Sequence, residues 1–227
     1  MNYLLGTGFY PHAGAIPSRA RWRDNVTKYA KPEPRRIVTI GVGAEDSPYT
    51  QYDAFGWWVS LPRNLGHVGD LLNGSKPHEF CGWSASMLAM ALIAYAGELD
   101  YCYLEEDALA FGPWVERMYA ELGDGQFAFG RKMQSAPWMA CSQSLFIVRH
   151  AFIPRFVSTY LSLGKDGDPE NLPETKFQRI EERFPIECRR LSFTVDRERP
   201  LPYDESVWAA QKFTAEELEE LRKRNLI

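Results

Sequence analysis

No two of the four cysteines, Cys81, Cys102, Cys141 and Cys188, form a C-x-x-C pair. Two of them stand in apolar runs, where cysteine behaves as a small buried hydrophobe. Their spacing argues against a zinc site and against a disulfide framework, and predicts reduced thiols in a cytoplasmic protein. Long apolar runs are missing as well: the longest, Met87 to Ala96, falls well short of the ~20 residues that cross a bilayer. No basic stretch followed by a long apolar one opens the sequence, so neither a secretory leader nor a transmembrane segment is expected. Positive charge is not in excess, with a formal net charge of −4 and a pI near 5.7. The arginines gather only in short groups (Arg19, Arg21 and Arg23; Arg35 and Arg36; Arg222 and Arg224). A nucleic-acid partner is therefore not expected. There is no internal repeat, no Walker-type loop and no G-x-G-x-x-G.

What is present suits one soluble α/β domain with a modest C-terminal addition. The chain has 227 residues, 45% of them hydrophobic, enough to bury a core of that size. Asn2 to Leu5 reads as a strand ending in a Gly6-Thr7-Gly8 corner. Arg19 to Tyr29 reads as a helix, and Arg36 to Ile40 as a buried strand ending at Gly41-Val42-Gly43. Trp57 to Leu61 is a third strand, closed by Pro62. Ser84 to Ala96 is predicted to be a helix capped by Ser84 and stopped by Gly97. Leu99 to Leu104 is an apolar strand, and Pro113 to Leu122 a helix with proline in its first turn. This alternation predicts a mainly parallel sheet flanked by helices. Further on, Leu145 to Val148 reads as a strand, Ile153 to Leu163 and Thr175 to Phe184 as helices, and Lys165 to Pro173 as a polar loop. A last helix opens at Thr214 with Glu217 three residues on, a capping-box pattern.

The sharpest feature is the run Leu99-Asp100-Tyr101-Cys102-Tyr103-Leu104-Glu105-Glu106-Asp107, in which an apolar strand leads straight into three acids. In open parallel sheets ligands bind at the carboxyl ends of strands, where these acids would sit. Crowding carboxylates beside a core costs free energy through repulsion and desolvation. A hard divalent cation, Mn²⁺ or Mg²⁺, removes that cost. On an extended segment Glu105 and Asp107 would share one face, with Glu106 turned away.

The strand, the three acids, the following Ala108-Leu109-Ala110-Phe111-Gly112 and the next helix together resemble the metal-binding D-x-D motif of GT-A-fold glycosyltransferases. Glu stands at the first position here. A second segment, Asn64-Leu65-Gly66-His67-Val68-Gly69-Asp70-Leu71-Leu72-Asn73-Gly74, is similar to the N-x-G-x-x-x-A-x-N-x-G run of family 2-like transferases, with Asp70 where alanine is usual. The resemblance implies a GT-A-like, Rossmann-like α/β domain over residues 1–212. Residues 1–123 would be its nucleotide-sugar and metal half and 124–212 its acceptor half, followed by a C-terminal helix over 213–227. It implies Asp107 as the direct metal ligand and Glu105 as a contact to metal or ribose. The nucleotide site would be drawn from Thr7, Gly8, Phe9, Gly41, Asn64, Gly66, Glu105 and Glu106, with Phe9 or Tyr10 available to stack on the base. The implied activity is hexosyltransferase-like: a sugar moves from a nucleotide-diphosphate sugar, with a UDP-sugar favoured, to a glycan or other hydroxyl acceptor, with inversion.

Inversion needs a carboxylate base for the acceptor hydroxyl. Glu174, opening a helix after a Gly/Pro loop, fits the placement such bases have in many inverting GT-A enzymes; Asp166 and Asp168 compete with it. His150 is the only histidine after the acids, and is a metal ligand or a packed residue. Trp138 to Ser144 could line the acceptor pocket. Two other readings stay open: a nucleotidyltransferase that makes a nucleotide sugar, which would release pyrophosphate, and a non-catalytic nucleotide-sugar-binding module of the same fold.

Overall fold

Apolar residues that alternate along a strand feed both faces of a sheet, and here both faces are covered. The computed structural model describes residues 1–9, 15–42, 56–61, 65–75, 78–131, 141–195 and 205–227. Its strands are β1 (Tyr3–Phe9), β2 (Arg36–Val42), β3 (Trp57–Leu61), β4 (Asp100–Leu104), β5 (Ala108–Phe111), β6 (Phe127–Gly130), β7 (Leu145–Val148), β8 (Cys188–Leu191) and β9 (Trp208–Gln211). Its helices are α1 (Ala15–Tyr29), α2 (Val68–Leu72), α3 (Gly82–Ala96), α4 (Trp114–Leu122), α5 (Ile153–Ser162), α6 (Pro173–Arg183) and α7 (Ala215–Lys223). A seven-stranded sheet runs in the order β3-β2-β1-β4-β7-β6-β8. Only β7 runs against its neighbours, so the sheet is mainly parallel, as the alternation predicts. Leu4, Val38, Ile40, Tyr101, Tyr103 and Phe146 point to the side closed by α3, α5 and α6. Tyr3, Leu5, Cys102, Leu104 and Ile147 point to the side closed by α1 and α4.

The short strands β5 and β9 pair antiparallel as a second sheet. Leu221 of α7 packs with Phe111 and Trp208 on it, which docks the C-terminal helix. Thr214 and Glu217 form the expected capping box at the start of α7. No helix among the described residues is long and apolar enough to cross a membrane.

Several sequence expectations change. The Gly6-Thr7-Gly8 corner is not a corner, because β1 continues through it to Phe9. Gly8 is there for close approach: a Cβ on it would stand 2.6 Å from Ser86 Oγ of α3. Gly41 likewise lies within β2, and a Cβ there would stand 2.4 Å from the Trp58 indole. Ser84 is not the cap of α3. Cys81 holds that position without a side-chain bond, and the buried Ser84 hydroxyl meets Tyr160 Oη at 2.6 Å instead. Ala108 to Phe111, to which no element is assigned from the sequence, forms the strand β5.

Candidate active site

The register gathers the strand ends. Phe9 of β1 pairs with Gly41 of β2, and Val42 with Leu61 of β3. Leu104, the last residue of β4, pairs with Leu145, the first of β7. Because β7 runs the other way, the segment that enters it, Cys141 to Ser144, is delivered to the edge where β4 ends. Glu105, Glu106 and Asp107 therefore open at the carboxyl edge of the sheet, where the reading of the sequence puts them.

Their local shape differs from the extended one expected. Ala108 N donates to Glu105 O at 2.9 Å, so the three acids form a tight turn and strand alternation does not apply to them. The turn is fixed from several sides. Glu105 N donates to Ser144 O at 2.8 Å, and Lys212 N donates to Asp107 O at 3.2 Å. From α1, Trp22 Nε1 donates to Leu104 O at 3.1 Å, and Asn25 Oδ1 accepts from Ala110 N at 3.0 Å.

Glu105 and Asp107 are close enough in this turn to interact electrostatically. Burial first, and the charge of Asp107 second, push the Glu105 carboxyl up to about 8; Glu174 adds to the rise, while the Ser144 hydroxyl and the Lys212 ammonium oppose it. Glu106 and Asp107 also line a cavity of about 80 Å³ with Ser18, Arg21, Lys212 and Phe213. A larger cleft of about 760 Å³ lies at the opposite edge, among Asn2, Arg35, Arg36 and Glu98. It faces the amino ends of β1 and β4, so position selects the smaller cavity over the larger.

The three candidate bases separate. Asp166 is fully buried, bonded to Lys176 Nζ at 2.7 Å and to Cys81 N at 3.0 Å. Asp168 accepts from Glu170 N and from Asn171 Nδ2 in the loop before α6. Both are committed to holding the chain. Glu174 is half-buried in the first turn of α6, and its carbonyl lies 3.6 Å from Cys141 Sγ, on the segment that also braces Glu105. His150 sits at the far edge of the sheet: its backbone N donates to Asp100 Oδ1 at 2.8 Å, and its ring stacks on Tyr95. It is a packed residue, remote in the fold from the acids.

Thr7, Gly8, Phe9 and Gly41 reach the carboxyl edge as expected, but three of them are engaged in packing. Phe9 is 2% exposed and wedged against Trp58, while the Arg19 guanidinium lies 4.2 Å from the Trp58 ring and 5.3 Å from that of Phe9. Phe9 is therefore part of the wall, without a free face for a base. Gly66, at φ +76°, accepts from Gly82 N at 3.0 Å, and Asp70 caps α2 by accepting from His67 N. Asn64, Tyr10, Gly43 and Trp138 lie outside the described residues.

Sequence reading missed Lys212, Arg21 and Trp22 as parts of this site, and expected Ser144 in the acceptor pocket, whereas its carbonyl braces Glu105. Only for Lys212 does the local backbone single the residue out: it stands in the left-handed region at φ +54°, directly after β9. Such strain in a residue other than glycine marks a position the surroundings over-determine.

No protein-family model matches the chain, and no curated protein matches it in sequence. Solved structures do match. An active-site mutant of LgtC gives a TM-score of 0.57 at 9% identity, over 97% of this chain and 95% of that one. The galactosyltransferase LgtC in complex with donor and acceptor sugar analogs gives 0.52 at 11% identity, over 98% and 94%. A glycosyltransferase involved in glycosylation of the major capsid of PBCV-1 gives 0.55 at 10% identity, over 100% of both chains. GlyE of Streptococcus pneumoniae gives 0.50 at 12% identity over 85% of this chain, which spans only 45% of GlyE. The fold is thus the GT-A fold of the nucleotide-diphospho-sugar glycosyltransferases.

Proposed function

We propose that this chain is a glycosyltransferase that moves a sugar from a nucleotide-diphosphate sugar, with a UDP-sugar favoured, to a hydroxyl acceptor with inversion. The observation that carries the proposal is the crowded pair Glu105 and Asp107 on the turn after β4, with Lys212 beside it at the carboxyl edge. A half-buried carboxyl pushed up to about 8 is costly to keep as an anion, and a cation at the pair would offset that cost.

Carboxylate oxygens are the donors that a hard divalent ion prefers. Among the described residues no three His, Cys, Asp or Glu side chains converge to hold a metal. Asp107 and Glu105 would then be its protein ligands, leaving positions for water and diphosphate oxygens, the usual arrangement of Mg²⁺. When bound, such an ion neutralises charge on the departing diphosphate. Lys212 offers a second positive charge to the same group. Glu174 takes the proton of the acceptor hydroxyl as its oxygen attacks the anomeric carbon and the bond from that carbon to the diphosphate oxygen breaks. Its rivals Asp166 and Asp168 are held in structural bonds, which supports this assignment.

The test is a thermal-shift panel of nucleotide sugars with and without Mn²⁺, followed by an assay for nucleotide-diphosphate release. Stabilisation should require the metal and largely disappear in Asp107→Ala. Equal shifts in both proteins, or pyrophosphate release from a nucleotide triphosphate and a sugar phosphate, would overturn the proposal. Donor binding with no turnover on any acceptor would reduce it to a binding module.

A further inference from the structure

One fully buried ion pair takes no part in the chemistry assigned to the acids. Lys176 and Asp166 are both 0% exposed, with Lys176 Nζ 2.7 Å from Asp166 Oδ1. Taking two charges out of water costs as much free energy as their attraction returns, or more, so neutral side chains of similar volume often hold a core as well. What such a pair supplies and apolar packing lacks is direction, since each charge-assisted hydrogen bond fixes the atoms at both of its ends. Here the bonds reach three separate segments. From α6, Lys176 Nζ also donates to Gly164 O at 2.7 Å, just past α5, and lies over the rings of Phe80 and Tyr160. Asp166 Oδ2 accepts from Cys81 N at 3.0 Å, and Asp166 N donates to Glu79 O at 2.8 Å, both on the lead-in to α3.

Glu174 stands in the same first turn of α6 as Lys176. The turn is held from the core by the Lys176 ammonium and on another side by Cys141, whose Sγ meets the Glu174 carbonyl at 3.6 Å. The Glu174 charge reaches both neighbourhoods. It adds to the rise of the Glu105 carboxyl, after burial and Asp107, and to that of the Tyr160 hydroxyl, after burial, Asp166 and Cys81. We propose that Lys176 and Asp166 are positioning residues for Glu174: their bonds seat the first turn of α6 so that this carboxylate is held toward the acidic turn after β4. With Glu174 as the base, the reading on which this rests, a displacement of about 1 Å costs on the order of 10²-fold in rate. The pair therefore governs kcat, while affinity for the donor is set by the carboxylates after β4.

The test is the double variant Lys176→Met with Asp166→Asn, which removes both charges together and leaves neither alone in the core. It should keep the circular dichroism of the fold, and its kcat should fall on the order of 10–100-fold, with the donor KM and the metal-dependent thermal shift unchanged. Amide hydrogen exchange should quicken in the first turn of α6, while β4 and β7 keep their protection. Asp166→Asn alone preserves the side-chain shape, should show the same split between kcat and KM, and decides the matter should the double variant not fold. A wild-type kcat, a loss confined to the donor KM, or unchanged exchange in α6 would each overturn the proposal. A wild type that transfers no sugar, or Glu174→Gln with kcat intact, would overturn the transferase reading instead, and the exchange measurement would still show whether the pair orders this turn.

Discussion

Replacing Glu105 by glutamine isolates the electrostatic cost on which the site reading depends. Glutamine keeps the shape of the side chain but cannot ionise. In the unfolded chain the carboxyl titrates near its ordinary value of 4.5, and in the folded protein near 8. Below the lower value both states hold the proton and the group costs nothing. Between the two values the folded state binds more protons than the unfolded one, so stability falls as pH rises, by about 1.4 kcal/mol per pH unit. Above about 8 the cost is complete, on the order of 3–5 kcal/mol. Glu105→Gln should therefore melt with the wild type near pH 4.5 and about 10 °C above it at pH 8.5, given the usual conversion for a chain of this size. Adding Mn²⁺ at pH 8.5 should raise the wild type toward the variant and leave the variant little changed. Scanning calorimetry across pH makes the measurement. Parallel melting curves at every pH would refute the crowding of Glu105 by Asp107 and, with it, the reason given for a cation there.

Other outcomes follow from the same geometry. Glu174→Gln should lower kcat by about 10²–10⁴-fold while the metal-dependent thermal shift with donor persists; a lost shift with kcat intact would show a binding role instead. Lys176→Met leaves the buried Asp166 carboxylate without its partner and should cost about 3–5 kcal/mol in urea denaturation. Gly41→Ala drives a methyl into the Trp58 indole, which should cost about 1–3 kcal/mol and disturb the Phe9–Trp58–Arg19 wall, read as a drop in melting temperature with a change in tryptophan fluorescence. Thr214→Ala removes the cap of α7 and should cost about 1 kcal/mol, without effect on metal-dependent donor binding.

The parts of the fold that the sequence announces are those with unambiguous periodicity. β2, β4 and β7 are short β-branched or aromatic runs buried on both faces, and α3 and α7 carry either helix-forming composition or a capping box. The parts it hides are four-residue strands that lack the unbroken run of large apolar residues in β7. Phe127–Gly130, Cys188–Leu191 and Trp208–Gln211 gain their identity only from a neighbour to pair with, and four residues carry too little alternation to distinguish strand from loop. The glycines after β1 and β2 misled for a related reason. A glycine read alone suggests a turn, whereas Gly8 and Gly41 are small so that Ser86 and Trp58 can approach them. Asp166 beside Asp168 shows the same limit in a polar loop, since only the arrival of Lys176 from α6 turns one of two similar acids into a buried lock.

The acidic triplet was visible because it is contiguous, whereas the groups that surround it come from far along the chain. Ser144 reaches Glu105 because β7 is the one antiparallel strand of the sheet, which delivers its leading residues to the edge where β4 ends. Lys212 reaches Asp107 because β9 returns to pair with β5, with Gln211 opposite Ala108. Glu174 enters from the first turn of α6 and Arg21 from α1. Three acids at a strand end are by themselves compatible with a solvated loop. A serine and a lysine whose backbones are bonded to the acidic turn by two separate long-range pairings, with one carboxyl held far above its usual range, are what a loop in bulk water does not produce. Burial supplies the largest part of that rise, so the energetics of the site rest on the sheet as a whole, and a substitution that loosens the β5–β9 pair should lower the Glu105 pKa without touching an acidic residue.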